Sequence, residues 1–196
     1  KADDGTHGNE LWKSDGTASG TVMVEDIRSG SWGGEPWNLT PVGSTVFFCA
    51  DDGTNGIELW KSDGTSGGTV MVKDIHSGST SGLSVFNMYP IAVNSTLLYF
   101  TAADGSGNGY ELWRSDGTAN GTFMVEDINP SGSSSSREFI VFGSTLYFRA
   151  DDGTHGNELW KSSISGLALP IIAPVYTSVV LVNNTAMSLI SIINSG

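Results

Sequence analysis

The chain has 196 residues, 38% of them hydrophobic, and its 9 basic and 21 acidic side chains give a net charge of −12 and a pI near 4.3. That length and apolar content support a buried core and exclude a disordered chain, while the acidic balance excludes nucleic acid and anionic membrane surfaces as partners. Twenty-six glycines and no long run of helix formers predict short strands joined by turns, an all-β fold.

The chain opens at Lys1 without a methionine or an apolar leader, as expected of a processed product or of part of a longer protein. It continues Ala2-Asp3-Asp4-Gly5-Thr6-His7-Gly8-Asn9-Glu10-Leu11-Trp12-Lys13-Ser14, and residues 150–162 repeat those letters. Close variants surround Trp60 and Trp113, so Trp12, Trp60, Trp113 and Trp160 recur about every 49 residues, the period of propeller blades or solenoid units. The expected fold is one repeat domain over 1–196, made of four four-stranded units at approximately 1–44, 45–95, 96–144 and 145–196. A four-bladed propeller-like ring is the leading arrangement, and a β-solenoid is the alternative.

In the second unit, strands are expected at 45–50, 58–62, 69–75 and roughly 85–93, separated by Asp-Gly or Gly-Gly steps that reach positive φ cheaply. Leu59 and Trp60 point to opposite faces of one strand, so both faces must be covered. The repeated tryptophans and the methionines of the third strands are read as core. Cys49, the single cysteine, permits neither an intrachain disulfide nor a thiolate zinc cluster. The matching positions hold Thr101 and Arg149, so Cys49 is expected at the surface.

Residues 162–196 carry no charged side chain. Pro170, Pro174 and Asn183-Asn184 interrupt the apolar stretch, which argues against a transmembrane helix. Val182-Asn183-Asn184-Thr185 aligns instead with Val93-Asn94-Ser95-Thr96, placing 187–193 where the other units have their first strand. The tail then reads as a degenerate fourth unit plus an extra strand, carried by Met187, Leu189, Ile190, Ile192 and Ile193, while the first unit begins in mid-unit. Two closures fit: the strand seals its own first unit, or it enters a neighbouring copy and propagates a filament.

The stretches 10–17, 58–65 and 111–118, each followed by Gly-Thr and a Val-rich strand ending Asp-Ile, resemble the ELWxxDGT repeat of large secreted and surface proteins. The resemblance covers residues 1 to about 161 and fails at Ser162-Ser163-Ile164. It implies an extracellular, propeller-like protein with no defined catalytic activity.

The acidic turns are the candidate metal positions. Asp3, Asp4 and Glu10, then Asp51, Asp52 and Glu58, then Asp151, Asp152 and Glu158 offer oxygen ligands of the kind calcium takes, without the alternating spacing of an EF-hand. Turn chemistry accounts for Asp-Gly on its own and is the preferred reading. Asn38, Asn94, Asn120 and Asn183 head Asn-x-Thr sequons, expected glycosylation positions in a compartment that attaches glycans.

Trp32 and Trp37 have no counterpart in the other units and are candidates for sugar stacking or subunit contact. His7, His76 and His155 build no site, nothing marks one serine among many as a nucleophile, and no enzyme is expected. The preferred function is a structural subunit of an extracellular filament, a homopolymer joined by strand donation. The alternative is a calcium-assisted carbohydrate-binding surface module.

Overall fold

The computed structural model describes residues 1–86, 90–93 and 95–164, and the strands Ile172–Pro174, Thr177–Val182 and Ala186–Ser191. Among these residues the chain is all-β, with antiparallel pairing throughout. The first sheet holds β1 (Ala2–Asp3), β2 (Asn9–Lys13) and β3 (Val22–Glu25) in that order. The second follows as β4 (Trp37–Val42), β5 (Thr45–Asp51), β6 (Ile57–Ser62) and β7 (Val70–Lys73). The third is β8 (Ile91–Val93), β9 (Leu97–Ala102), β10 (Glu111–Ser115) and β11 (Phe123–Glu126). The fourth is β12 (Arg137–Phe142), β13 (Thr145–Asp151), β14 (Asn157–Ser163) and β15 (Ile172–Pro174), and a separate pair joins β16 (Thr177–Val182) to β17 (Ala186–Ser191).

These sheets are offset from the sequence units. The boundaries at 44/45 and 144/145 fall inside two-residue hairpins, where Val42 pairs Thr45 and Phe142 pairs Thr145. Gly43 and Gly143 take φ of 61° and 62°, as the first position of a II′ turn requires, so the strand ending one sequence unit belongs to the sheet of the next. The fourth strand expected over 85–93 is correspondingly short, at Ile91–Val93.

The motif strand folds alike in the first three sheets. Leu11 pairs Glu25, Leu59 pairs Lys73 and Leu112 pairs Glu126, and in each case the register shifts between that leucine and the following tryptophan. The downstream turn is built the same way. Asp15, Asp63 and Asp116 each accept the backbone N–H and the hydroxyl of the threonine two residues on, which holds all three carboxyls below their usual range.

Apolar clusters lie between consecutive sheets. Leu11, Val24 and Ile27 of the first meet Phe48, Ala50 and Trp60 of the second. Phe47, Cys49, Leu59 and Val72 meet Leu98, Phe100, Ala102 and Trp113 of the third, whose Tyr99 and Leu112 in turn meet Leu146, Phe148, Ala150 and Trp160 of the fourth. Each sheet thus has a forward face, carrying the motif leucine, and a backward face, carrying the motif tryptophan. Burying side chains of this size contributes roughly 1.5–3 kcal/mol apiece.

Cys49 corrects a sequence expectation. It is fully buried on the forward face of the second sheet, its thiol donates towards the Trp37 carbonyl at 3.5 Å, and burial pushes it up to about 11. Thr101 is buried at the same position. Arg149 is partly exposed there, on a face where Phe142 and Leu159 are exposed as well, so its polarity says nothing about the other two positions.

Candidate functional site

The acidic turns expected to offer metal ligands are closed on themselves. Asp3 and Asp151 each accept the N–H of the glycine two residues on, at 2.7 Å, and Asp51 does the same with Gly53. Asp4 accepts Thr6 N–H and His7 N–H and binds His7 Nδ1 at 2.7 Å, while Asp152 does the same with Thr154 and His155, the ring at 2.8 Å. Asp52 substitutes Asn55 for the histidine. These bonds hold Asp4 and Asp152 at about 2, with the histidine the largest influence on each.

The glutamates of the proposed metal sets lie elsewhere. Glu10 and Glu58 of those sets, together with Glu111, which was not among them, are fully buried and clamp the loop that leads to the next sheet. Glu58 Oε2 accepts Ile75 N–H at 2.9 Å, and its Oε1 accepts His76 N–H at 3.3 Å and Gly82 N–H at 2.7 Å. Glu10 takes the N–H groups of Ile27, Arg28 and Gly34, and Glu111 those of Ile128 and Ser134. Among the described residues, no three His, Cys, Asp or Glu side chains come together as a metal site. In the first two sets the Glu carboxylate is taken up by loop N–H groups, and Glu158 of the third set is exposed.

Each clamp also reaches across a junction. Gly34, Gly82 and Ser134 donate N–H to their glutamate and, through their carbonyls, accept Asp51 N–H, Ala103 N–H and Asp151 N–H from the next sheet, all at 2.9 Å. A Cβ at Gly82 would lie 2.7 Å from Glu58 Oε1 and 2.9 Å from Ile75 Cβ, so the second junction needs glycine. Arg28 adds an ion pair to Asp51 at 2.7 Å across the first junction. Glu158, identical in its local sequence, is exposed. Sequence reading missed this role, although the recurrence of Asp-Ile sixteen residues after each buried Glu was the available signal.

Trp32 and Trp37 do come together. Both line a cavity of about 400 Å³ with Arg28, Glu35, Asp51, Ile57 and Val85, and both are exposed. The Lys1 ammonium lies 3.4 Å from the centroid of the Trp37 ring and pairs with Glu35. Of the sequon residues, Asn120 is exposed in a turn, whereas Asn38 is half-buried at φ 57° with its amide donating to the Val85 carbonyl at 3.3 Å. Asn94 and Asn183 lie outside the described residues, as do Ile192 and Ile193 of the extra strand.

No family model matches the chain, and no curated protein does. Among the described residues no helix is long and apolar enough to cross a membrane.

The buried carboxyls give the fold a pH dependence. Burial lifts Glu58 and Glu111 from 4.5 to about 7 against the pull of their backbone donors, and the neighbouring charges of Asp74 and Asp127 add to the rise. A carboxyl raised in the folded state holds its proton more tightly there, so its stabilisation is complete below about pH 4.5 and is lost as pH rises through about 7. His7 and His155, raised by Asp4 and Asp152, act in the same direction. Asp4 and Asp152 act oppositely, but only as pH falls below about 4 towards 2. The melting temperature is expected to fall by roughly 5–10 °C between pH 5 and pH 8, and Glu58→Gln with Glu111→Gln should flatten that profile. A level profile in the parent chain would show that the clamps are ionised throughout.

Proposed function

We propose that the chain is an extracellular or cell-surface structural protein that polymerises head to tail, each copy donating its last strand pair to the first sheet of the next. The observation that supports this reading is a match, among the described residues, between a separate strand pair and a sheet in which the edge of β2 is partly uncovered. β16–β17 pairs Val182 with Ala186, as β8–β9 pairs Val93 with Leu97, so it has the form of the first two strands of a further sheet. The first sheet has the complementary lack: β1 covers only Asn9 and Glu10 of β2, and no described strand lies along that edge at Leu11–Lys13. An uncovered strand edge invites pairing with another chain.

On this reading the sheets are propeller-like blades, the last one shared between copies. The likeness of residues 1 to about 161 to the ELWxxDGT repeat supports the extracellular placement, and of the two described sequons Asn120 is the better placed to carry a glycan. Light scattering after size exclusion in dilute neutral buffer, with electron microscopy of the same fraction, is expected to show fibres or multiples of 20.6 kDa. A lone 20.6 kDa species at every concentration would mean closure in cis and would end the filament reading.

The Trp32/Trp37 cavity favours a second reading, carbohydrate binding, because it joins aromatic faces to Arg28, Glu35 and Asp51. Saturable glycan binding by a monomer would select it, and loss of that binding on chelation would restore a calcium role.

A further inference from the structure

Resting on the carbohydrate-binding reading of the Trp32/Trp37 cavity, we propose that its ligand is a sugar bearing a free amine, a hexosamine unit whose ammonium takes the place of Lys1 on Glu35 and the Trp37 ring. The site already holds a cation of that kind. The Lys1 ammonium lies 3.4 Å from the Trp37 ring centroid, where the indole face attracts positive charge, and it pairs with Glu35. Glu35 is held for this contact, because its Oε1 accepts Asn9 Nδ2 at 2.8 Å while its Oε2 accepts the ammonium. The bond from Lys1 keeps its carboxyl below the usual range, so Glu35 is ionised at neutral pH.

Packing does not call for this trio. Lys1, Glu35 and Trp37 occupy the positions that Cys49, Leu83 and Val85 hold one unit later, since Ala2 pairs Glu10 as Ala50 pairs Glu58, and Glu35 N–H bonds Asn9 as Leu83 N–H bonds Ile57. Cys49, Leu83 and Val85 pack in one apolar cluster. An ion pair beside an indole forfeits that apolar contact and removes charge from water, so the fold gains nothing from the exchange. The third junction has Thr101, Ser135 and Arg137 at these positions, so among the described residues the combination of acid, indole and ammonium belongs to the first junction alone. Local departures from what a repeat needs for folding mark positions kept for function.

The remaining wall selects the ligand. Trp32 supplies a second indole, on which the C–H face of a pyranose ring stacks. Arg28 is paired with Asp51 at 2.7 Å, which leaves the Glu35–Lys1 pair as the one into which an incoming ammonium exchanges. A chain of net charge −12 gathers cations and repels uronic and sulfated sugars. A neutral sugar offers the indoles its ring face but gives Glu35 no charge, whereas an amino sugar offers both.

The test uses the full chain with three probes, a glucosamine trimer, the same trimer N-acetylated, and lysine amide, with affinity read by calorimetry and the fold by melting curves. The glucosamine trimer is expected to bind saturably and at least about tenfold more tightly than the acetylated one, which has lost the charge-assisted bond. Glu35→Gln should remove that difference by weakening the glucosamine trimer alone. Lys1→Ala should tighten the glucosamine trimer by at least about threefold, because the internal competitor is gone; a pair with a merely structural role would give the opposite sign, and weaker binding by Lys1→Ala would overturn the displacement. Equal affinity of the parent chain for the two trimers would overturn the amine and leave the carbohydrate reading standing. Binding of lysine amide as tight as that of the glucosamine trimer, or binding of neither trimer by the parent or by Lys1→Ala, would overturn both.

Discussion

Glu58→Ala is expected to cost roughly 3–6 kcal/mol of stability, a large fraction of what a domain of this size possesses, whereas Glu158→Ala should change it by less than about 0.5 kcal/mol. The two residues share the sequence Glu-Leu-Trp-Lys-Ser and differ only in what the fold brings to them. Glu58 accepts three backbone N–H groups in a buried site, and alanine would leave Ile75, His76 and Gly82 without that acceptor. The loss propagates, because Gly82 is also the residue whose carbonyl holds Ala103, which directly follows β9 of the third sheet. Glu58→Gln should fall between, since its carbonyl oxygen can replace one carboxylate oxygen while its amide N–H groups oppose the remaining donor. Urea unfolding of the variants at pH 7 measures the ranking. Equal effects at positions 58 and 158 would show that the motif glutamate acts within its own strand rather than across the junction.

Lys13→Cys combined with Ser188→Cys is expected to give a ladder of disulfide-linked multimers under mild oxidation, with nearly all the chain shifted out of the monomer band. The pair follows from register. Phe47 faces Lys61, Tyr99 faces Arg114 and Tyr147 faces Lys161, and Ser188 and Lys13 are the corresponding positions of β17 and β2. Directly opposed residues have Cβ atoms about 5 Å apart, close to disulfide reach. Cys49 does not compete, being buried with its thiol held at about 11. A compact cross-linked monomer would show that the strand pair closes on its own first sheet. Free thiols after oxidation would show that β17 does not pair with β2 at all, and both closures would be abandoned.

Several features were legible because they are local. Asp-Gly-Thr specifies its turn through an Asp oxygen and a threonine two residues away, and the structure forms it alike at Asp15, Asp63 and Asp116. The opposite facing of Leu59 and Trp60 announced a sheet covered on both sides, as its two flanking clusters are. The hairpin alignment of Val182 with Val93 was readable from Asn and Thr spacing and recurs as the pairing of β16 with β17.

The sequence by itself therefore determined the strands, their turns and the two-sided burial, since turn geometry and strand alternation depend on residues a few positions apart. Tertiary structure alone decided which strands share a sheet, that Cys49 is core while Arg149 is not, and that Glu58 clamps a loop while Glu158 meets solvent. It also brought Trp32 and Trp37 to one cavity and left Phe142 uncovered. The physical reason is that burial and desolvation belong to the surface that covers a residue. Identical motifs acquire different chemistry when one is covered by a neighbouring sheet and another is exposed.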